Sequence, residues 1–258
     1  MRSNLPVPSI DCERALWSGG IRWVAGVDEV GRGALAGPVV AAAVVWSRDL
    51  VDRHKAQDGS SPWLPATLPE SFSDIRDSKL LEPAVRCRLA AEIESMAAAV
   101  GIGWVPPSAV DGLGIAKATA LAMRRAIRAL PVEPEWVLVD GLPVDLGMSQ
   151  CRAIVGGDRS VLSISAASIV AKVHRDAYMI ALSETCQGYG LERHKGYGTR
   201  RHLEALQRRG PSVHHRLSWA PVRLAWAMGK DSRRSGAQFR HSVEGSYQPI
   251  VQPFDPAP

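Results

Sequence analysis

The stretch VAGVDEVGRGALAGPVVAAAVVW, Val24 to Trp46, decides how the rest of the chain is read. Its flanks are short apolar runs, rich in valine and bounded by glycine and proline, which fits two buried strands. Between them stand two adjacent acids, Asp28 and Glu29, followed by Gly31-Arg32-Gly33. A buried strand has little use for neighbouring carboxylates, because an unpaired buried charge costs several kcal/mol or shifts its pKa until it is neutral. Successive strand residues also point to opposite faces, so a twist or bulge is expected if both acids serve one site. By itself the segment leaves two readings open: a hairpin corner with solvated acids, or half of a metal site. Only further acids converging on the same place can decide between them.

Composition sets the outer limits. A chain of 258 residues that is 46% hydrophobic can bury a substantial core, as one domain or one domain with an appendage. The longest apolar run, Ala34 to Trp46, has 13 residues and contains Gly37 and Pro38, too short and too broken for a membrane span. Met1 to Cys12 has no apolar core of the signal-peptide kind, so a cytoplasmic protein is expected. Cys12, Cys87, Cys151 and Cys186 form neither a CxxC pair nor a Cys/His cluster, which fits reduced thiols. Net charge is +5, unevenly spread: residues 193–240 carry 12 of the 31 Lys and Arg with only Glu204 and Asp231 against them. That segment is +10 and the remainder −5, so a polyanion partner is expected beside a partly solvated basic surface.

Outward from the opening stretch, the chain alternates strands and helices. A loose lead-in holds a short helix near Asp11 to Trp17, and the strand after the glycine corner runs Val39 to Val45. Val51 to Phe72 lacks periodicity and reads as a long surface loop. Glu82-Pro83 then opens a helix over Ala84 to Ala99, and Ala99 to Val105 is a third strand. From Ser108 or Asp111 a helical region carries Ile115, Ala118, Thr119, Ala122, Met123 and Ile127 at spacings of three and four until Pro131. Val137 to Val139 is a buried strand with Asp140 at its end, and Arg152 to Val155 is the last strand before Gly156-Gly157-Asp158. Ser165 to Leu182 is a long helix whose small residues let it lie close on the sheet; shorter helices follow at Thr199 to Gln207 and Pro221 to Met228. From Gly229 the chain is polar and Pro-containing, and disorder is expected.

This alternation makes the class α/β, in which sites form outside strand ends where connections part. Asp28, Glu29, Asp140 and Asp158 all lie at or just beyond apolar strand-like runs. Four carboxylates gathered there repel one another unless a cation intervenes. Hard oxygen ligands favour Mg²⁺ or Mn²⁺ over zinc. Two such ions about 4 Å apart can activate water and stabilise the leaving oxygen of a phosphodiester, a chemistry that suits the basic surface.

Several separated motifs, in order, resemble the type 2 ribonuclease H family, bacterial ribonuclease HII. They are GVDEVGRG, Asp77-Ser78-Lys79-Leu80, Val137 to Gly141, Gly157-Asp158, the run Ser163 to Val173, and His194-Lys195-Gly196-Tyr197, within a match from Trp23 to Ala227. The resemblance implies a ribonuclease H-like fold: a five-stranded mixed sheet flanked by helices, with a small C-terminal helical extension that helps hold substrate. It implies two metal ions, Mn²⁺ or Mg²⁺, on Asp28, Glu29, Asp140 and Asp158, with Asp28 bridging them. It further implies cleavage of the RNA strand of RNA/DNA hybrids and of duplex DNA 5′ to embedded ribonucleotides, leaving 3′-hydroxyl and 5′-phosphate ends, by a monomer. The backbone of Gly31, Arg32 and Gly33 would read the ribose 2′-hydroxyl, and Tyr197 would sense the RNA–DNA junction. Only glycine lets backbone amides approach a sugar so closely, and the 2′-hydroxyl is what separates RNA from DNA.

Asp77, Ser78 and Lys79 read either as a helix cap with a solvated lysine or, as the resemblance implies, as a phosphate contact, and Ser165, Ser168 and Lys172 as a phosphate cradle at a helix start. Ser165 and Ser168 have the alternative of capping and packing. Asp176 reads as structural, paired with a neighbouring arginine. His194 and Lys195 are expected as mobile surface groups, and the adjacent His214 and His215, with no cysteine nearby, do not read as zinc ligands. The expected division is a lead-in over 1–20, a catalytic domain over 21–190, a helical extension over 191–229 and a tail over 230–258. A non-catalytic nucleic-acid binder on this fold would have lost at least one of the four acids. A ribonuclease HIII would carry an extra N-terminal domain, whereas about 20 residues precede the first strand here. Gly114 stands where many relatives carry Asn, which touches no catalytic residue.

Overall fold

In a computed structural model describing residues 7–48, 74–75, 78–79 and 81–234, with side chains through 228, the two valine-rich runs are strands β1 (Val24–Val30) and β2 (Val39–Val45). They pair antiparallel in unbroken register from Ala25↔Val45 to Val30↔Val40. β3 (Ala99–Val105) extends the sheet antiparallel to β2, while β4 (Trp136–Asp140) and β5 (Cys151–Ile154) add parallel strands beyond β1. The order is β3-β2-β1-β4-β5, the five-stranded mixed sheet expected from the resemblance. The helices are α1 (Asp11–Ser18), α2 (Pro83–Met96), α3 (Pro107–Leu113), α4 (Ile115–Arg128), α5 (Gly157–Ser160), α6 (Leu162–Thr185), α7 (Leu191–His194), α8 (Arg200–Arg209) and α9 (Ala220–Arg234). No helix among the described residues is long and apolar enough to cross a membrane.

Strand alternation splits the apolar side chains between two cores. Val24, Ala42, Val44 and Leu138 pack against α6, with α2 and α1 outside it. Ala25, Val27, Ala41, Ala43, Val137 and Val139 pack against α4 and α3 on the other face. A third core, built on Leu35, Met179, Leu182, Leu191, Leu206 and Val222, fastens the C-terminal helices to the end of α6 and to the β1–β2 connection.

The approach of α6 to β1 is unusually close. A Cβ on Gly26 would stand 2.2 Å from the Ser163 carbonyl carbon and 2.4 Å from the Ile164 nitrogen. The start of α6 is filled from within the protein: the Ser163 amide donates to the Glu13 carboxylate at 2.8 Å and the Leu162 amide to the Ser9 carbonyl at 2.9 Å. Glu13 is fully buried, and desolvation pushes its carboxyl above the usual range while the Ser163 hydrogen bonds pull it back. The Leu162 and Ser163 amides at the start of α6 therefore already hold a carbonyl and a carboxylate, so a phosphate cradle there cannot use them.

Other boundaries moved for local reasons. The helical region expected from Ser108 onward is two helices, because Gly114 takes φ +77° between them. The last helix continues to Arg234, past the Gly229 break point; residues 229–234 hold no proline, and cations suit a helix C-terminus. The expected loop over Val51–Phe72 lies outside the described residues, as do Asp77, Leu80 and the chain beyond 234.

The C-terminal helices are tied in by histidines, and His194 is no mobile surface group. Its ring stacks on His202 at 4.4 Å, accepts from the Gly196 amide at 3.2 Å and faces the Tyr189 carbonyl at 2.8 Å. The Ser212 amide donates to His215 Nδ1 at 3.0 Å, so His215 Nε2–H is left to donate to His202 Nε2 at 3.0 Å. His202 Nδ1–H then donates to the Tyr197 carbonyl at 3.0 Å. The two accepting nitrogens, His215 Nδ1 and His202 Nε2, need neutral rings, and burial lowers the pKa of His202 to about 4 and that of His215 to about 3.

Two expectations follow from this packing. Gly26→Ala should cost about 1–3 kcal/mol through overpacking, seen as a melting temperature lower by roughly 2–4 °C per kcal/mol; an unchanged value would mean that α6 can slide away from β1. His202 and His215 titrate lower folded than unfolded, so the unfolded chain takes up protons first as pH falls. Their contribution is complete above about pH 6.5 and is lost progressively towards about 4 and about 3. Raised carboxyls such as Glu13 act in the opposite sense, so the informative quantity is a difference. Unfolding measured from about pH 7.5 to about pH 5 should show a shallower acid loss in His215→Gln than in the parent; equal slopes would place the sensitivity elsewhere.

Candidate active site

The parallel pairing of β1 with β4 ends at Val27↔Val139, which leaves Asp28 and Asp140 facing each other one step further, where the strands part. Both alternate onto the α6 side of the sheet. Asp28 is only 5% exposed. It accepts a hydrogen bond from the Ser168 hydroxyl, which leaves the Ser78 hydroxyl to donate to Ser168 Oγ at 3.0 Å. Burial first, then the charges of Glu29 and Asp140, hold the Asp28 carboxyl well above the usual carboxylate range, against the pull of Ser168.

Glu29 follows on the strand without a bulge, since the β1–β2 register is continuous through it. The expected distortion is unnecessary because β4 does not cover β1 beyond Val27. The Glu29 amide donates to Asp28 Oδ1 at 2.7 Å, and Arg32 holds its carboxylate at 3.2 Å. Burial raises the Glu29 carboxyl, Arg32 lowers it, and Asp140 raises it further. Asp158 lies in α5, entered through Gly156 in the left-handed region. Its amide donates to Asp140 Oδ1 at 3.2 Å, and its carboxylate pairs with Lys79 at 3.6 Å and Arg159 at 3.8 Å.

Asp28, Glu29 and Asp140 line one cleft of about 600 Å³, together with Ser78, Lys79, Ser168, Lys172 and, from the connection between α7 and α8, Lys195 and Tyr197. Asp158 is joined to this cleft through Asp140 and Lys79. Lys79 reaches out at 75% side-chain exposure. Lys172 is engaged by Asp176 at 2.7 Å, and Asp176 also meets Arg86 at 3.5 Å, the arginine pairing expected of it. Ser165 requires a correction: it is fully buried and its hydroxyl donates to the Asp158 carbonyl, so it holds the α5 turn and cannot meet a phosphate.

Among the described residues, no three Asp, Glu, His or Cys side chains close into a ready-made metal cage. The donor set nevertheless fits a magnesium-like ion. Such ions keep waters and complete their shell with substrate phosphate oxygens, so two or three convergent carboxylates are enough. Burial first, and repulsion among the acids after it, raise these carboxyls, and a divalent ion would relieve the repulsion.

Just after the first two acids, the Gly31-Arg32-Gly33 segment and its continuation are held by two arginines that motif reading did not single out. Arg216 donates to the Arg32 carbonyl at 2.9 Å and twice to the Gly37 carbonyl, at 2.9 and 3.1 Å. Arg175 donates to Pro38 at 2.9 Å, Ala36 at 3.2 Å and Lys195 at 3.0 Å. Both are fully buried; burial and then Arg175 pull the pKa of Arg216 down to about 9. A signal for Arg175 was available, since it continues the buried stripe Ser168, Ala171, Arg175, Met179, Leu182 at helical spacing. The Leu35 and Ala36 amides both donate to Gly196 O, at 2.8 and 3.3 Å, which brings the glycine segment beside Tyr197. A Cβ on Gly33 would stand 3.9 Å from the Tyr197 ring.

This arrangement can be set beside known proteins. The family model for ribonuclease HII matches residues 70–222. The ribonuclease HII of Synechococcus sp. (strain JA-3-3Ab) is 50% identical over 218 residues, 84% of this chain and 90% of that protein. The crystal structure of ribonuclease H2 from Pyrococcus horikoshii OT3 shares the fold with a TM-score of 0.63 at 24% identity, over 81% of this chain and 99% of that one. Bst-RNase HIII, solved in complex with Mn²⁺, gives 0.58 at 20% identity, over 87% of this chain and 72% of that one. The sequence matches decide the family, and the structural ones the fold: the chain belongs to the ribonuclease HII family, and with it to the metal-dependent ribonuclease H hydrolases.

Proposed function

We propose that this protein cuts the RNA strand of RNA/DNA hybrids, and duplex DNA 5′ to embedded ribonucleotides, leaving 3′-hydroxyl and 5′-phosphate ends. The observation that supports this most is a single cleft lined by Asp28, Glu29 and Asp140 together with Tyr197, with Gly33 near the tyrosine ring. Asp28, Glu29, Asp140 and Asp158 would hold two divalent ions, Mg²⁺ or Mn²⁺. Such ions supply an activated water and charge stabilisation at the leaving oxygen.

The remaining work falls to the chain itself. Ser168, backed by Ser78, orients the Asp28 carboxylate. The Asp158 amide fixes Asp140, and Arg32 fixes Glu29, so three acids are set before substrate arrives. Lys79 and Lys195 offer positive charge at the cleft to phosphate oxygens. The amides of the glycine segment would meet the ribose 2′-hydroxyl, and the Tyr197 ring would pack on the neighbouring sugar, so that a strand without ribose is held poorly. A non-catalytic binding role has little support, since all four acids are present and three line the cleft.

The decisive assay is digestion of a duplex holding one ribonucleotide, with Mg²⁺ and then Mn²⁺. The expected product is a single cut on the 5′ side of the ribonucleotide with a 3′-hydroxyl end. Ends carrying a 2′,3′-cyclic phosphate would make the ribose hydroxyl the nucleophile and sink the two-metal reading. Asp28→Asn should lose about a thousandfold or more in kcat, several kcal/mol of transition-state charge stabilisation. It should melt no lower than the parent, because it removes a buried, repelled charge. Near-normal turnover in this variant would take Asp28 out of the metal site.

A further inference from the structure

On the reading above, substrate is met by two segments far apart in sequence, the 31–33 loop and Tyr197. One side chain touches both. Arg175 of α6 is 0% exposed. Its guanidinium carbon lies 5.5 Å from the centroid of the Tyr197 ring. On the other side, a Cβ on Gly31 would fall 2.2 Å from Arg175 Nε, so the glycine loop rests directly on the same group. Its hydrogen bonds are divided in the same way. Pro38 and Ala36 belong to the continuation of the glycine loop, whereas Lys195 lies two residues before Tyr197.

We propose that Arg175 is a positioning residue that fixes the Tyr197 ring against the 31–33 loop, making the two substrate contacts one rigid unit. The inference rests on the substrate-contact reading of Tyr197 and the loop. A guanidinium suits the task because its edges bond several carbonyls while its face lies against a ring. A lysine in the same place can keep the charge but cannot serve both segments. The three carbonyls offset the desolvation of the charge, so burying it is compatible with a stable fold. The bland alternative is a strut that only stabilises the junction between α6 and the loops.

A double-mutant cycle separates the two. The parent, Arg175→Lys, Tyr197→Ala and the double variant are assayed on a duplex with one ribonucleotide and Mg²⁺, each well below its own melting temperature. Tyr197→Ala should lose on the order of 10- to 100-fold in kcat/KM. Arg175→Lys alone should lower kcat about tenfold with KM for the duplex nearly unchanged, yet add less than about twofold to Tyr197→Ala. In a Tyr197→Phe background, where the ring remains, the full effect of Arg175→Lys should return. Losses that multiply independently in the cycle would overturn the proposal. So would an Arg175→Lys protein that melts lower yet cuts at the parental rate, or one that does not fold. A parent that fails to cut this duplex, or a Tyr197→Ala protein that cuts normally, sinks the underlying reading and the proposal with it.

Discussion

The structure depends on the absence of a side chain at Gly26. With a Cβ there only 2.2 Å from the Ser163 carbonyl carbon, no other residue lets α6 lie as close to β1. That approach sets the rest of α6 in register with the sheet. Ser168 reaches Asp28, two residues beyond Gly26 on the same face of the strand. Two further turns along, Arg175 reaches the carbonyls of the β1–β2 connection. One backbone contact thus aligns both the acids of the cleft and the loop that follows them. Small buried residues along α6, Ser163, Ala166, Ala167 and Ala171, leave room for the helix to lie on the sheet.

Buried charge is the recurring electrostatic problem of this molecule, and it is met in two ways. Arg175 and Arg216 are satisfied by backbone groups, with six carbonyl bonds between them, and Glu13 takes an amide of α6 on one carboxylate oxygen while the other is buried without a hydrogen bond. Such groups hold segments together without needing a partner of opposite charge. Asp28, with Glu29 and Asp140 beside it, is treated differently, since desolvation and mutual repulsion both raise its carboxyl. A folded protein keeps that arrangement where a ligand is meant to relieve it. The acid cluster thus keeps a strain that a bound cation would relieve, whereas the arginines are held by the carbonyls of the loops they join.

The C-terminal helices belong to the cleft as much as the sheet does. Tyr197 is placed by its own carbonyl, bonded to His202, and His202 is fixed in turn by His215. Imidazoles kept neutral by burial add no charge to a site that must bind a polyanion through selected cations. The glycine segment is pinned from the same side by Arg216, so the elements that would read substrate are stitched together by residues 175, 202, 215 and 216.

The sequence by itself determined the local pieces. Valine runs with glycine and proline boundaries marked β1, β2, β3 and β4, because strand formation answers to near-neighbour pattern. Asp28, Glu29, Asp140 and Asp158 stood out because a carboxylate at the end of an apolar run has no local reason to be there. What the tertiary structure alone decided depends on neighbours distant in sequence. Ser165 turned inward to the Asp158 carbonyl, Glu13 filled the start of α6, and His194 was taken into a ring stack. The two buried arginines gave only a faint signal, because a guanidinium on an apolar stripe is explained only when the carbonyls that surround it are in place. Helix ends and strand periods follow from a few adjacent residues; the partner of a buried polar group is set by which segments the fold brings together.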